Sequence, residues 1–498
     1  MRDVVVIGAG HNALVAACYL ARAGLDVEVV ERDTVLGGAC STVERWPGYR
    51  VDRGSSLHVM VRFTGIVEDL ELDVEYVDLD PWAVLPLGDG THLTFSRDLD
   101  ATCESIAAVS PRDAQAYRRF VAEWSARSTR VMQAFCAPPT ARHLGRALWR
   151  MGGPRSGPTT ARDFLQPGDA LLDATFTDER LKAALSWLGA QSGPPMHEPG
   201  TAPMVGFWSL LHTRSPGRPV GGSGGLSESL ARKLVELGGT IRLGDAATAI
   251  ERSGAGARSV LASSGDRIPT RAVLSGAHVA VTAQLLGDEP AAQRVRIGDG
   301  IGIPVRIASR ASPAIPRAAM QLLVRDREQL RGAYGDFLAR RVPAAPPLLV
   351  MPHSVFDPTV APPARHLTTV WAQWHHADAA FDHAAVADAV VAQVDAAAPG
   401  FADSVEQVLV QSPHDLETEL GLLRGNVMHV EMGLDSMFAL RPLPGWSGYR
   451  SPVPGVYLCG ASTHPGGGVF GASGRSAAQV LLADRKPGVV ARLLRRDP

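Results

Sequence analysis

The chain has 498 residues, 45% of them hydrophobic and 20% charged, with a formal net charge of -2 at pH 7. That length exceeds what one hydrophobic core organises, so two domains are expected, and the near-neutral balance leaves no electrostatic case for a nucleic-acid partner. Cys18, Cys40, Cys103, Cys136 and Cys459 form no C-x-x-C pair, so metal clusters and dithiol redox chemistry lack their spacing, no metal site is expected, and a reducing, cytoplasmic setting fits.

Residues 4–7 are an uninterrupted apolar run of strand length, as expected for a strand buried on both faces. Gly8 allows a tight turn, Gly10 lets the backbone close on a pyrophosphate, and Ala13 permits close helix–strand packing. A helix over residues 11–22 then aims its free N–H groups and positive dipole end at the phosphate. Residues 25–30 read as the second strand. Glu31 ends it, placing a carboxylate about 20 residues past the glycines, where a ribose hydroxyl needs an acceptor. A lone glycine triplet would be weak evidence; strand, glycines, helix, strand and acid in this order point to dinucleotide binding.

After Glu31 comes Arg32-Asp33-Thr34-Val35-Leu36-Gly37-Gly38. Gly37 and Gly38 give backbone room for a second pass along an extended ligand, which favours FAD. Arg53, in Asp52-Arg53-Gly54-Ser55-Ser56, offers a guanidinium for a phosphate or the flavin edge; an ion pair is the competing role. Residues 98–215 read as helical, interrupted by a Gly/Pro-rich loop at 152–168. Gly221-Gly222-Ser223-Gly224-Gly225-Leu226 leads into a helix ending near Leu237, followed by strands over 240–243, 246–250 and 271–274. Residues 302–410 carry β-rich pieces at 348–351 and 367–374 and a helix near 384–397. A strand over 456–459 opens a glycine-rich loop, 460–474, that runs into a helix over 476–482. The first strand leaves no space for a signal peptide, and no run of 18 apolar residues suggests a membrane span. The basic tail 485–496 reads as a solvated terminal helix, with membrane-surface contact as the less favoured reading.

Three nucleotide-binding segments therefore emerge, 1–75, 218–290 and 420–498, with 76–217 and 291–419 as a substrate domain. Three consecutive glycines in Thr463-His464-Pro465-Gly466-Gly467-Gly468-Val469-Phe470-Gly471-Ala472 cost conformational entropy, which makes sense where a flat ligand touches backbone. The N-terminal unit, residues 221–226 and residues 463–472 together resemble the phytoene desaturase family of FAD-dependent oxidoreductases. Gly425-Asn426-Val427-Met428-His429-Val430-Glu431-Met432 and Leu440-Arg441-Pro442-Leu443-Pro444-Gly445-Trp446 resemble its branch of pyridine nucleotide-disulphide oxidoreductase domain-containing proteins. The resemblance covers about half the chain. It implies an α/β fold: a Rossmann-type FAD-binding domain in three segments with an inserted α+β substrate domain, as in amine oxidases. It also implies that Gly8, Gly10, Ala13, Glu31, Gly38 and Arg53 lie along the adenosine and pyrophosphate, with Arg32 and Gly37 beside them. Ala247 would meet the adenine side, and Gly460, Gly467, Gly468 and Val469 the isoalloxazine and ribityl chain. A second glycine fingerprint for NADPH is absent from the sequence.

These readings predict an oxidoreductase that passes hydride from a C–H bond of a small or medium-sized organic substrate to flavin N5, forming C=C or C=N. Dioxygen or a quinone would take the electrons. A polyene desaturase or isomerase at a membrane surface, and a non-catalytic flavin scaffold, are the alternatives. His464 is the candidate for moving a proton beside the flavin or for ordering its loop. His58, Trp208, His212, Trp371, Trp374 and His375 are candidate pocket residues, with plain packing as the competing role. His429 and Glu431, two apart on an expected strand, would share a face as an acid–base or ion pair. Asp378, Asp382 and His383 near His375 and His376 lack fixed metal-ligand geometry.

Overall fold

The computed structural model describes residues 1–254, 256–313 and 315–485, with the side chains of 147–158 left aside. All but Arg485 of the basic tail lies outside the described residues.

A five-stranded parallel sheet runs in the order Val456–Leu458, Val273–Ser275, Val4–Ile7, Val27–Val30, Thr240–Arg242. Its central strands are Val-rich and buried on both faces, the signature of a sheet covered by helices. His11–Arg22 and Ala472–Arg485 pack together on one face, with Gly224–Glu236 beside the first. A Cβ on Gly276 would fall 2.7 Å from Ala13 Cβ, so the small pair at 13 and 276 sets how closely helix and strand approach. The three segments expected to share one nucleotide-binding core thus share one sheet.

A seven-stranded sheet takes its strands from elsewhere: Val405–Val410, Gly302–Ser309, His366–Gln373, Leu348–Met351, Met320–Leu323, Ala83–Pro86 and His92–Phe95. Its pairs are antiparallel apart from Met320–Leu323 with Ala83–Pro86. His383–Ala397 presents Val386, Val390 and Val394 to one face, and the helices Pro111–Phe135 and Glu179–Gly189 fill the aromatic core on the other.

Several boundaries differ from the sequence reading. The stretch expected to break at 152 is a continuous helix, Ala141–Leu165, capped by Thr140, whose hydroxyl accepts from His143 N–H; its helix-forming flanks override the Gly and Pro content. The last helix starts at Ala472, directly after Gly471, rather than at 476. Residues 429–431 are not a strand, and His429 has φ +64°. His429 and Glu431 therefore share no face, and Glu431 pairs with Arg296 instead.

Candidate functional site

A cavity of about 230 Å³ opens at the C-terminal ends of the parallel strands, the position at which doubly wound sheets bind ligands. Gly8, Gly10, Ala13, Glu31, Arg32, Gly37, Gly38, Ala247 and Gly460 all lie on its wall. Gly10 caps the first helix without a side-chain hydrogen bond, so the first-turn N–H groups open toward the cavity, an arrangement suited to an anion. Gly8 turns the chain at φ +91°, a conformation that a side chain would strain. Glu31 is fixed by its own backbone: Ala9 N–H donates to Oε2 at 2.6 Å and Asp33 N–H to Oε1 at 2.9 Å.

The glycines divide by what surrounds them. A Cβ on Gly10 would meet nothing within 4 Å, so the space beside it is cavity rather than packing. A Cβ on Gly460 would fall 2.5 Å from Gly276 O, and one on Gly467 2.6 Å from Met428 Cα. Gly460 and Gly467 are therefore small because backbone segments of the protein itself cross there. Gly468 is exposed, and Val469 is buried against the parallel-sheet core; Gly467, Gly468 and Val469 are not on the cavity wall.

Arg53 sits behind the wall. Its Nη1 donates to Asp33 Oδ2 at 2.7 Å and its Nε to Glu419 Oε1 at 3.0 Å, so it braces two carboxylates that line the cavity. Burial is the largest influence on Asp33 and works to raise its pKa, but the Arg53 hydrogen bond and charge and the backbone N–H groups of Val35 and Thr34 together hold the carboxyl below its usual range. Sequence reasoning missed Glu419, which arrives on the helix Pro413–Leu420, and also His11, Asn12 and His278 on the same wall; His429, expected to face Glu431, stands there too. His11 and Asn12 had a signal, since they follow the glycine pair directly. Each keeps a buried polar atom, His11 Nε2 and Asn12 Oδ1, without a partner among the described residues.

His464 is 1% exposed and lies in a box of Phe135 and Phe438, ring centroids 5.7 Å away in each case. Its Nε2–H donates to Ala134 O at 3.1 Å, and burial pulls its pKa down to about 4. The aromatic and histidine candidates do not converge on one pocket. His58 is fully buried between Tyr76 Oη and Ser223 Oγ, each 2.8 Å away. Trp208 stacks on Trp82, and His212 hydrogen-bonds Tyr117 Oη at 3.0 Å. Trp371 donates to Gln373 Oε1 and Trp374 to Gly193 O. His375 is buried with both ring nitrogens unpartnered among the described residues. Near it, Arg424 binds Asp299 and Asp378 together, and His383 pairs with Asp415.

The wall fits an adenine dinucleotide: a cradle at Gly10 that a side chain would fill, an uncapped helix start, a fixed carboxylate and unpartnered polar atoms. Gly10→Val should abolish FAD uptake while leaving the apoprotein's melting temperature within a few degrees, because its side chain enters open space; titration of apoprotein with FAD checks this, and undiminished affinity would refute the cradle.

The model of the family "Flavin containing amine oxidoreductase" matches residues 14–482. The mouse pyridine nucleotide-disulfide oxidoreductase domain-containing protein 2 is 32% identical over 97% of this chain and 94% of its own length. The all-trans-zeta-carotene desaturase of Myxococcus xanthus is 26% identical over 94% and 91%. A putrescine oxidase with a redesigned cofactor site superposes with a TM-score of 0.63 at 16% identity, covering 97% of this chain and 99% of that one. With family, fold and cavity in agreement, the chain belongs to the flavin-containing amine oxidoreductases and is an FAD-dependent oxidoreductase.

Proposed function

We propose that the protein dehydrogenates a small or medium-sized organic metabolite, forming a C=C or C=N bond, with dioxygen or a quinone as final acceptor. The observation that carries this reading is one continuous cavity reaching from Gly8 and Gly10 to Gly460 and Ala461, so that the N-terminal turn and the loop after the last strand face one ligand. FAD when bound supplies the two-electron, hydride-accepting chemistry. The residues that would hold it are Gly8, Gly10, Glu31, Gly38 and Ala247, with Arg53 bracing Asp33 and Glu419. The division into a cofactor half (1–75, 218–290, 420–498) and a substrate half (76–217, 291–419) belongs to the same reading.

His464 enters this reading as a positioning residue. Its Nε2 proton is committed to Ala134 O, which ties the loop after the last strand to the end of helix Pro111–Phe135. A histidine neutral down to about pH 4 does not titrate in the working range.

A second reading, a polyene desaturase or isomerase at a membrane surface, has the carotene desaturase relative in its favour. Among the described residues no helix is long and apolar enough to cross a membrane. Anaerobic mixing of the FAD-loaded protein with amines, cyclic amino acids and polyenes separates the readings. Bleaching of the flavin band near about 450 nm by an amine or amino acid supports dehydrogenation of a compact metabolite. Bleaching by polyenes alone moves the assignment to the desaturase, and turnover without dioxygen or quinone consumption to the isomerase. No bleaching across the panel identifies a non-redox scaffold and overturns the proposal.

A further inference from the structure

We propose that His429 is a neutral hydrogen-bond donor aimed into the flavin cavity, with Ser462 and His278 as the positioning residues that fix its tautomer and ring plane. The proposal rests on the flavin reading of the cavity and adds a contact to it: the imidazole N–H would meet an acceptor oxygen of the bound dinucleotide.

The geometry settles which nitrogen carries the proton. Val279 N–H donates to Ser462 Oγ at 3.0 Å, and Ser462 Oγ lies 3.2 Å from His429 Nδ1. Ser462 is 2% exposed, so its hydroxyl proton needs an acceptor inside the protein. His429 Nδ1 is the acceptor within reach; were Nδ1 protonated, the hydroxyl proton would be stranded. His429 therefore carries its proton on Nε2. That nitrogen has no protein partner among the described residues, and His429 stands on the cavity wall.

His278 holds the ring from behind. The two imidazoles stack with centroids 5.2 Å apart and planes 18° from parallel. Ala280 N–H donates to His278 Nδ1 at 3.1 Å, which makes His278 Nε2 the donor to His429 O, also at 3.1 Å. The backbone supports this arrangement at some cost, since His429 adopts φ +64°, a left-handed conformation uncommon for a residue other than glycine, asparagine or aspartate. Burial holds His429 well below the usual histidine range, and His278 and Arg441 add to that, so the ring stays a neutral donor.

The charge around the cavity makes such a donor useful. Glu31, Asp33 and Glu419 line it, and its one lining cation among the described residues is Arg32, whose guanidinium lies against Gly421. At the end formed by Gly460 and Ala461, next to Ser462, hydrogen bonds to ligand oxygens must come from backbone N–H groups and neutral imidazole.

The test is FAD binding by apoprotein, read by quenching of flavin fluorescence. His429→Asn tolerates the left-handed backbone but withdraws the ring, and should weaken FAD binding about tenfold. Ser462→Ala should weaken it by roughly threefold, because both tautomers of His429 become accessible. Nitrogen-15 imidazole shifts of the wild-type protein should show His429 protonated at Nε2, with that resonance moving when FAD is added, a response that a purely structural role would not give. Wild-type affinity in His429→Asn, or protonation at Nδ1, would overturn the proposal. If His429→Asn does not fold, as judged by its melting curve, the Ser462→Ala titration and the wild-type spectrum decide the matter. A wild-type protein that takes up no FAD would sink the flavin reading itself, a result separate from both.

Discussion

Lowering the pH from about 6.5 to about 4 is expected to unfold the apoprotein steeply. His58, His278, His375 and His464 are all buried, and burial is the leading cause that pulls their pKa values down to about 4, or about 3 for His58. In the unfolded chain each returns to its ordinary value near 6.5. Between the two values the unfolded state binds a proton that the native state refuses, so stability falls as the pH drops through this window and levels off below the folded pKa. Each such histidine contributes about 1.4 kcal/mol per pH unit. Four of them give roughly 5 kcal/mol per pH unit near the middle of the window, against a net stability of about 5–15 kcal/mol for a typical domain. Scanning calorimetry should show the melting temperature falling sharply below about pH 6, with these four rings alone taking up about four protons on unfolding near pH 5 and His11, His353 and His429, whose pKa values burial also lowers, adding to that. A melting temperature that stays flat between pH 7 and pH 5 would mean that these rings are solvated or already charged in the native state.

The same burial explains what the sequence could and could not reveal. The strand Val4–Ile7, the glycine turn and Glu31 are contiguous, and their chemistry is written into local spacing, so sheet, helix and cradle were legible before the structure. Glu419 and His278 reach the same wall from segments hundreds of residues away, and no local pattern marks them; His429 is marked in the sequence only by its spacing from Glu431, a pairing that the fold does not make. The glycines show the converse. Gly467 looks like a ligand-contact position in the sequence, but it lies off the cavity wall and a Cβ there would strike Met428; Gly460 lines the cavity and also lets the backbone pass Gly276. Composition cannot tell a glycine that clears space for a cofactor from one that lets two backbones cross. The tryptophans and histidines suggested a pocket for a similar reason: Trp374 and His58 are amphipathic residues whose polar atoms found partners inside the core, and Trp208 stacks on Trp82. The pairing of Arg53 was open in the sequence because its partner Glu419 lies 366 residues away.

Arg441→Met should destabilise the protein by about 4 kcal/mol or more and strip it of FAD. Arg441 is fully buried and reaches the carbonyls of Met428, Val430, Glu431, Ser436, Ala461 and Thr463, and none of its partners among the described residues is a carboxylate. It thus joins the segment that carries His429 to the loop that carries Ser462 and His464. Desolvation opposes this placement and pulls the guanidinium pKa down to about 9, which still leaves it charged at neutral pH. Hydrogen bonds to a charged donor contribute about 1.5–3 kcal/mol each, so the shorter contacts, to Met428 O at 2.6 Å and Ala461 O at 3.0 Å, with those to Thr463 and Val430, outweigh that cost. Methionine fills much of the volume but withdraws the donor from all six carbonyls, of which Met428 O keeps Val430 N–H and Glu431 O keeps the Ser436 hydroxyl. Arg441→Lys should recover only part of the loss, because an ammonium offers three donors and no planar fork. Urea midpoints and the bound-flavin ratio check both variants; a wild-type midpoint for Arg441→Met would refute the bracing role. The charge carries a further consequence. Arg441 helps to hold His278, His429 and His464 neutral, so removing it lets their folded pKa values move back up. The native state of Arg441→Met would then accept protons that the wild type refuses. Its acid transition should be shallower as well as starting from a lower stability, a combination that loss of packing alone does not produce.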